Sequence, residues 1–234
     1  MEILVTGGSG AIGTFVVEAL RSAGHSVTIL DREPPADDDV QFIRGDITDQ
    51  ETVREAVSEV DVVVHLAALL PKACRQSPHR ADAVNIGGSL NVFEAATEQQ
   101  VRVIYASSKA VFGAITGVHA HPTYEPLSED APKSPTNLYG VTKAAVERFA
   151  TAYVENGLDG AALRFASTYG PGKGEAHGDL AILPEAIRQA AAGNSVKLSG
   201  ADQRSDLLYY VDIAQGVTAA VETTELSYNA YHIG

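Results

Sequence analysis

Cysteine is almost absent: the 234 residues contain one, Cys74. A single thiol excludes an internal disulfide and agrees with a reducing, cytoplasmic setting. As a catalytic nucleophile Cys74 would need a neighbour that lowers its pKa, and the sequence shows none beside it. Basic residues are scarce as well, 17 against 30 acidic ones, for a net charge of −13. Such a surface repels nucleic acid and anionic lipid, so neither is an expected partner. No apolar run approaches the roughly 18 residues of a membrane span. No basic segment precedes Ile3-Leu4-Val5, which reads as a first core strand rather than a signal peptide.

Hydrophobic residues make up 45% of the chain, enough for a sizeable core. Short runs rich in β-branched residues alternate with helical stretches, the pattern of buried parallel strands with crossover helices. Strands are expected at Ile3–Val5, Val27–Leu30, Val40–Ile43, Asp61–Leu66, Val101–Ser107 and Ala161–Phe165. Helices are expected at Ile12–Ala23, Glu51–Ser58, Ala81–Gln99 and Leu138–Asn156. This predicts an α/β fold with a doubly wound, Rossmann-type parallel sheet. Past Tyr169 the texture changes. Gly170-Pro171-Gly172-Lys173-Gly174 reads as a loop, followed by a helix at Ile182–Ala192, a strand at Val196–Leu198, a helix at Asp212–Val221 and a strand at Ala230–Ile233. The expected division is a dinucleotide-binding domain over 1–169 and a small lobe over 170–234, interwoven with the sheet and set over the strand ends, where ligands of such sheets bind.

Thr6-Gly7-Gly8-Ser9-Gly10-Ala11-Ile12-Gly13 lies between the first strand and the first helix and satisfies G-x-G-x-x-G. Gly7, Gly10 and Gly13 permit a tight turn and close approach of a pyrophosphate, and the helix N-terminus offers it free N–H groups. Asp31 ends the second strand 18 residues past Gly13, the place for a carboxylate that accepts from ribose hydroxyls. The alternative, an ordinary glycine turn with a solvated aspartate, leaves this spacing unaccounted for. A carboxylate there repels a 2′-phosphate and favours NAD over NADP; Arg32 beside it keeps NADP open, because an arginine can take that phosphate.

Tyr139-Gly140-Val141-Thr142-Lys143 places a tyrosine and a lysine on one helix face, a turn apart. A phenol near its ordinary pKa of about 10 is a poor base at neutral pH. A nearby ammonium and an oxidised nicotinamide would bring it down. The bland alternative is an exposed helix pair, but Ser107-Ser108 closes the fifth strand where an active site of this fold belongs.

Together these segments resemble the extended short-chain dehydrogenase/reductase superfamily, in its NAD-dependent epimerase/dehydratase branch. The resemblance also runs through Gly45-Asp46-Ile47, His65-Leu66-Ala67-Ala68, the run from Asn85 to Asn91, the run from Ser107 to Gly113, and Leu163-Arg164-Phe165 through Gly172. It implies that NAD lies against Gly7, Gly10, Ala11, Ile12, Gly13, Asp31 and Arg32. It adds Asp46, beside the adenine, with Ile47, Leu66, Ala67, Ala68, Asn85, Lys143 and Phe165. Taken singly, Asp46 reads as a turn residue, His65 as a satisfied core histidine and Asn85 as a helix-start hydrogen-bonder. By the same resemblance Tyr139 is the acid/base on a substrate hydroxyl or ketone, Ser108 hydrogen-bonds that oxygen, and Lys143 holds the nicotinamide ribose and tunes Tyr139. A hydride then passes between substrate carbon and nicotinamide. Ser107, Ser167 and Arg204 are the candidate substrate contacts, and no metal is expected.

Two departures narrow the reading. Sugar 4,6-dehydratases of this type carry Thr-Asp-Glu at the catalytic strand end, whereas this chain has Ser108-Lys109-Ala110; it lacks the second acid/base pair for eliminating water. Many nucleotide-sugar members have Asn where Ser167 stands, and their later arginine is displaced by two positions here, at Arg204. The expectation is an NAD-dependent epimerase of a sugar or nucleotide-sugar. The alternatives are a dehydrogenase of a sugar or small hydroxy compound, and a non-catalytic NAD-binding sensor, which commonly lacks the tyrosine–lysine pair. Extended members usually continue past the segment that ends here at Gly234, so the lobe is expected to be short. The two long helices are expected either to form a homodimer contact or only to cover the sheet.

Overall fold

The structure, a computed structural model, describes residues 1–171, 182–197, 204–226 and 229–234. Among these, seven strands form one parallel sheet in the order β3-β2-β1-β4-β5-β6-β9. They are β1 (Glu2–Thr6), β2 (Ser26–Asp31), β3 (Gln41–Arg44), β4 (Val62–His65), β5 (Arg102–Ser108), β6 (Gly160–Phe165) and β9 (Ala230–Ile233). The order reverses between β1 and β4, so a crevice opens beyond the carboxyl ends of those two strands.

Alternation along β1 shows why the core has two layers. Ile3 and Val5 point to one face and Leu4 to the other, and all three are buried. The Ile3 face packs on α1 (Ala11–Ser22), through Val16, Val17 and Leu20, and on α8 (Tyr210–Glu222), through Ile213, Val217 and Val221. The Leu4 face packs on α2 (Gln50–Val57), α5 (Gly88–Gln99) and α6 (Leu138–Glu155), through Val53, Phe93 and Val146. Side-chain caps start two of these helices. Asp49 accepts from Glu51 N and Thr52 N at the head of α2, and Asn137 accepts from Gly140 N at the head of α6.

The doubly wound sheet is as expected, but three local features differ. The helix expected at Ala81–Gln99 is broken. α3 (Pro71–Gln76) and α4 (Pro78–Ala81) lead into a π-helical turn, Asp82–Gly87, before α5 begins. The wide turn carries Asn85 into the protein, where its side chain bonds Leu69 and Thr142. The strand expected at Val196–Leu198 does not form at Val196 or Lys197, and Leu198 lies outside the described residues. Val196 is exposed and nothing pairs with its backbone in a ladder. Instead β7 (Ser167–Tyr169) and β8 (Leu207–Tyr209) pair in parallel as a small second sheet that the sequence does not announce. Of the glycine loop after Tyr169, Gly172 to Gly174 fall outside the described residues.

The segment after 170 thus serves both layers. β8 builds the small sheet beside the strand ends, while α8 and β9 join the main one. α7 spans Ile182–Ala191. Among the described residues no helix is long and apolar enough to cross a membrane.

Candidate active site

The loop from Gly7 to Gly13 leaves β1 through glycines that space requires. Gly7 sits at φ +74°, and a Cβ there would lie 2.7 Å from Ala67 N. At Gly13 a Cβ would lie 2.3 Å from Gly7 O, so α1 can begin against its own loop only without a side chain. The loop lines a cavity at the strand ends together with Ala11, Ile12, Asp31, Arg32, Asp46, Ile47, Leu66, Ala67, Ala68 and Phe165. Tyr139 and Lys143 line its far end.

Asp31 ends β2 at the rim. Its carboxylate accepts from Ser9 N at 3.2 Å and Arg32 N at 2.7 Å, which aims it across the glycine loop. Asp46 accepts from Thr48 N and Thr48 Oγ1, both at 3.0 Å, so it builds a turn and also lines the cavity. Ile47 is fixed from behind. Its carbonyl accepts from Asn91 Nδ2 at 2.9 Å, and Gly88 leaves room for its side chain.

At the other end, the Ser108 hydroxyl stands near enough to the Tyr139 phenol to favour its ionised form. Ser108 Oγ accepts from Ala110 N at 3.2 Å, which fixes it on the turn that follows β5. Burial pushes the Tyr139 phenol up to about 12, the Cys74 thiol adds to this, and the Ser108 hydroxyl opposes it. The ammonium expected to lower this phenol stands near its ring. Lys143 Nζ lies 5.8 Å from the ring centroid and donates to Ala106 O at 2.7 Å. Burial pushes Lys143 itself down to about 8, against the pull of Cys74 and Glu147.

Asn85 does not line the cavity but braces it. Its Oδ1 accepts from Leu69 N at 2.7 Å, and its Nδ2 donates to Leu69 O and Thr142 Oγ1, both at 3.0 Å. Thr142 Oγ1 in turn donates to Tyr139 O at 2.8 Å. A chain of bonds therefore runs from the cavity wall to the first turn of α6. Cys74 is buried beside it and donates to Leu69 O; burial raises its thiol pKa, with Asn85 and Lys143 opposing. A buried thiol raised in this way is a packing residue.

His65 lies behind the cavity wall. Its Nδ1 meets Thr6 Oγ1 at 2.7 Å and its Nε2 meets Ser89 Oγ at 2.9 Å. The Ser89 hydroxyl already donates to Asn85 O at 2.7 Å, so Nε2 carries the ring proton and Nδ1 accepts from Thr6. Burial, then Lys143, pushes His65 down to about 3, so the ring is neutral.

The three candidate substrate residues part company. Ser107 lines the cavity, but its hydroxyl donates to Glu147. Ser167 is buried in β7 and its N–H donates to Asp206 O at 3.0 Å. Arg204 is exposed, with its guanidinium 4.9 Å from the centroid of the Tyr124 ring. Sequence reasoning missed Gly140 and Glu147. A Cβ on Gly140 would lie 2.4 Å from Ala110 O, so that glycine lets α6 approach the Ser108 turn. Among the described residues no cluster of three or more His, Cys, Asp or Glu side chains could hold a metal.

The NAD-dependent epimerase/dehydratase family model matches residues 3–234. A UDP-N-acetyl-alpha-D-glucosaminuronate decarboxylase from Bacillus cytotoxicus is 28% identical over 250 residues, covering 99% of this chain and 74% of the relative. A UDP-glucose 4-epimerase from Thermus thermophilus, solved as a complex with NAD, superposes with a TM-score of 0.84 at 29% identity. That match covers 100% of this chain and 78% of the epimerase. An L-threonine dehydrogenase from Phytophthora infestans superposes with a TM-score of 0.87 at 27% identity, over 100% of this chain and 76% of the other.

Proposed function

The chain belongs to the NAD-dependent epimerase/dehydratase family, and from that premise we propose that it is an NAD-dependent epimerase of a nucleotide-sugar. One observation carries the reading: Tyr139, with Ser108 beside it, and the buried Lys143 stand at the far end of a cavity that begins with a glycine loop. The cavity suits NAD. Gly7 and Gly13 let the loop turn tightly against Ala67 and the start of α1, where a side chain would clash, and Asp31 stands where a ribose would offer its hydroxyls. When bound, NAD supplies the acceptor and donor of a hydride.

The chain's own residues move the proton. As the phenolate, Tyr139 would take it from a substrate hydroxyl and then return it, and Ser108 would donate a hydrogen bond to the oxygen that changes charge. Lys143 holds positive charge at the base of the pair, and the Asn85–Thr142 bonds hold the first turn of α6 in place. The two positions after Ser108 are Lys109 and Ala110 rather than carboxylates that could drive elimination of water, which speaks for epimerisation over dehydration.

The UDP moiety is supported by the activities for which the decarboxylase and the 4-epimerase are named. A second reading, dehydrogenation of a small hydroxy compound, is favoured by the likeness to L-threonine dehydrogenase. The unpaired Cys74 suits a cytoplasmic setting. The exposed Leu138, Val141 and Phe149 of α6 support a homodimer through that helix.

Thermal shift in the presence of NAD separates the two substrate classes, because a ligand specific for the fold stabilises it by mass action. UDP-glucose and UDP-galactose should raise the melting temperature, and L-threonine should leave it unchanged. The reverse pattern would transfer the assignment to the dehydrogenase.

A further inference from the structure

We propose that Glu147 is a positioning residue for the reacting pair, tying α6 to the end of β5 and supporting the ammonium of Lys143. This rests on the assignment of Tyr139, Ser108 and Lys143 as the reacting set. Glu147 lies one helical turn beyond Lys143 and is 3% exposed. The two side chains reach consecutive residues of β5: Lys143 Nζ donates to Ala106 O, and Glu147 Oε1 accepts from Ser107 Oγ. α6 is thereby pinned at two adjacent points just before Ser108, and this sets where Tyr139 stands relative to the Ser108 hydroxyl.

The carboxylate is itself held from three sides. Arg164 of β6 grips it with a fork, Nε to Oε1 and Nη2 to Oε2, both at 2.9 Å. Arg164 is the ladder partner of Ser107, so both groups reach Glu147 from neighbouring strands. Lys133, from the segment before α6, places Nζ 2.5 Å from Oε2. Arg164 Nη1 also donates to Glu129 O at 2.7 Å and lies 3.4 Å from His232 Nε2.

Buried ion pairs are weak contributors to stability, because desolvation offsets their attraction. Their best-attested use is registry, and here the register is that of a catalytic helix against a catalytic strand. Burial works against the Glu147 charge, but bonds from Arg164, Lys133 and Ser107 hold the carboxyl below its usual range. The charged or titratable groups facing it are therefore Arg164, Lys133 and Tyr105 from outside its helix and Lys143 along it. Those facing Lys143 are Cys74, His65 and Tyr139 in addition to Glu147. Burial pushes Lys143 down, and Glu147 pulls it back up.

The test reads Lys143 directly. The chain has six lysines, so carbon-13 labelling of lysine gives a short spectrum in which the Lys143 signal is identified by its loss in Lys143→Met. In Glu147→Gln its titration midpoint should fall by about one pH unit, the effect of losing one opposite charge nearby, and Glu147→Asp should restore part of it. With UDP-galactose as probe substrate, the alkaline limb of kcat should move down with the midpoint while KM changes little. If Glu147→Gln does not fold, Glu147→Asp, which draws the carboxylate back along its stem, is read alone, and its midpoint should fall by less than one pH unit. An unchanged midpoint in a folded variant overturns the proposal. Absence of UDP-galactose turnover in the unaltered enzyme would count against the substrate reading instead, because the titration needs no substrate.

Discussion

Tyr139 is the residue on which the proposed chemistry turns; burial lifts its phenol to about 12, so positive charge beside it has to favour the phenolate before it can accept a proton. Its neighbour in the structure is Ser108, whereas the cofactor elements lie on the glycine loop and β2. Tyr139→Phe should therefore lower kcat by about 10²–10⁴-fold, the usual contribution of a positioned acid/base. NAD affinity measured by calorimetry should stay nearly unchanged; a variant keeping more than a tenth of its turnover would remove Tyr139 from the mechanism. His65 carries a different prediction, one of stability. Its folded pKa, about 3, lies below the ordinary 6.5. Below pH 6.5 the unfolded chain takes up a proton that the native ring refuses, so stability is complete above 6.5 and falls as pH drops toward 3. Urea unfolding should show about 2–3 kcal/mol lost to this group between pH 7 and 4.5. His65→Gln should lose correspondingly less over the same range, and an equal loss in both proteins would contradict the assignment. The glycine loop, Asp31, Tyr139 and Lys143 are legible because residue type and spacing alone mark them. Glu147 is not, yet Arg164 in the apolar strand Ala161–Phe165 was a usable signal, since a buried guanidinium demands a partner.

Among elements, α6 and the turn after β5 set the geometry. Gly140 stands where a side chain would meet Ala110 O at 2.4 Å. Gly140→Ala should push the head of α6 away from Ser108 and lower kcat by roughly 10²-fold, the effect of about 1 Å of misplacement. NAD binding should persist, because the loop that serves it belongs to β1 and α1. Gly13→Ala is the converse case. Its Cβ would lie 2.3 Å from Gly7 O, so calorimetry should find NAD binding lost, and retention of wild-type affinity would free the loop from this role. Both glycines are visible in the sequence, but only Gly13 sits in a pattern with an obvious reason. Gly140 reads as a tolerated helix glycine until the turn it faces is known. The π turn at Asp82–Gly87 and the β7–β8 pair were hidden for related reasons. Periodicity registers which residues are apolar, not that Asn85 is drawn in by Leu69. Strands of three residues exist only because each has the other.

At the scale of the whole molecule the parallel sheet was legible, because strands buried on both faces leave continuous apolar runs. Less legible was the path of the tail, where α8 and β9 complete the main sheet while β8 serves the small one. Their partners are far away in sequence, and no local pattern names them. The sheet places the Asp31 carboxylate at the rim, facing the loop, so NAD should bind more tightly than NADP. Calorimetry with both nucleotides checks this, and NADP preference abolished by Arg32→Ala would reverse it. The central claim, that the hydroxyl pair and the lysine serve epimerisation of a nucleotide-sugar, meets its most direct test in one reaction. The chain is incubated with NAD and UDP-galactose, and sugar and nucleotide are followed together by proton NMR. The account predicts an equilibrium mixture of UDP-galactose and UDP-glucose with no net formation of NADH. NADH accumulating in step with a keto product, or no conversion while NAD is bound, would contradict it.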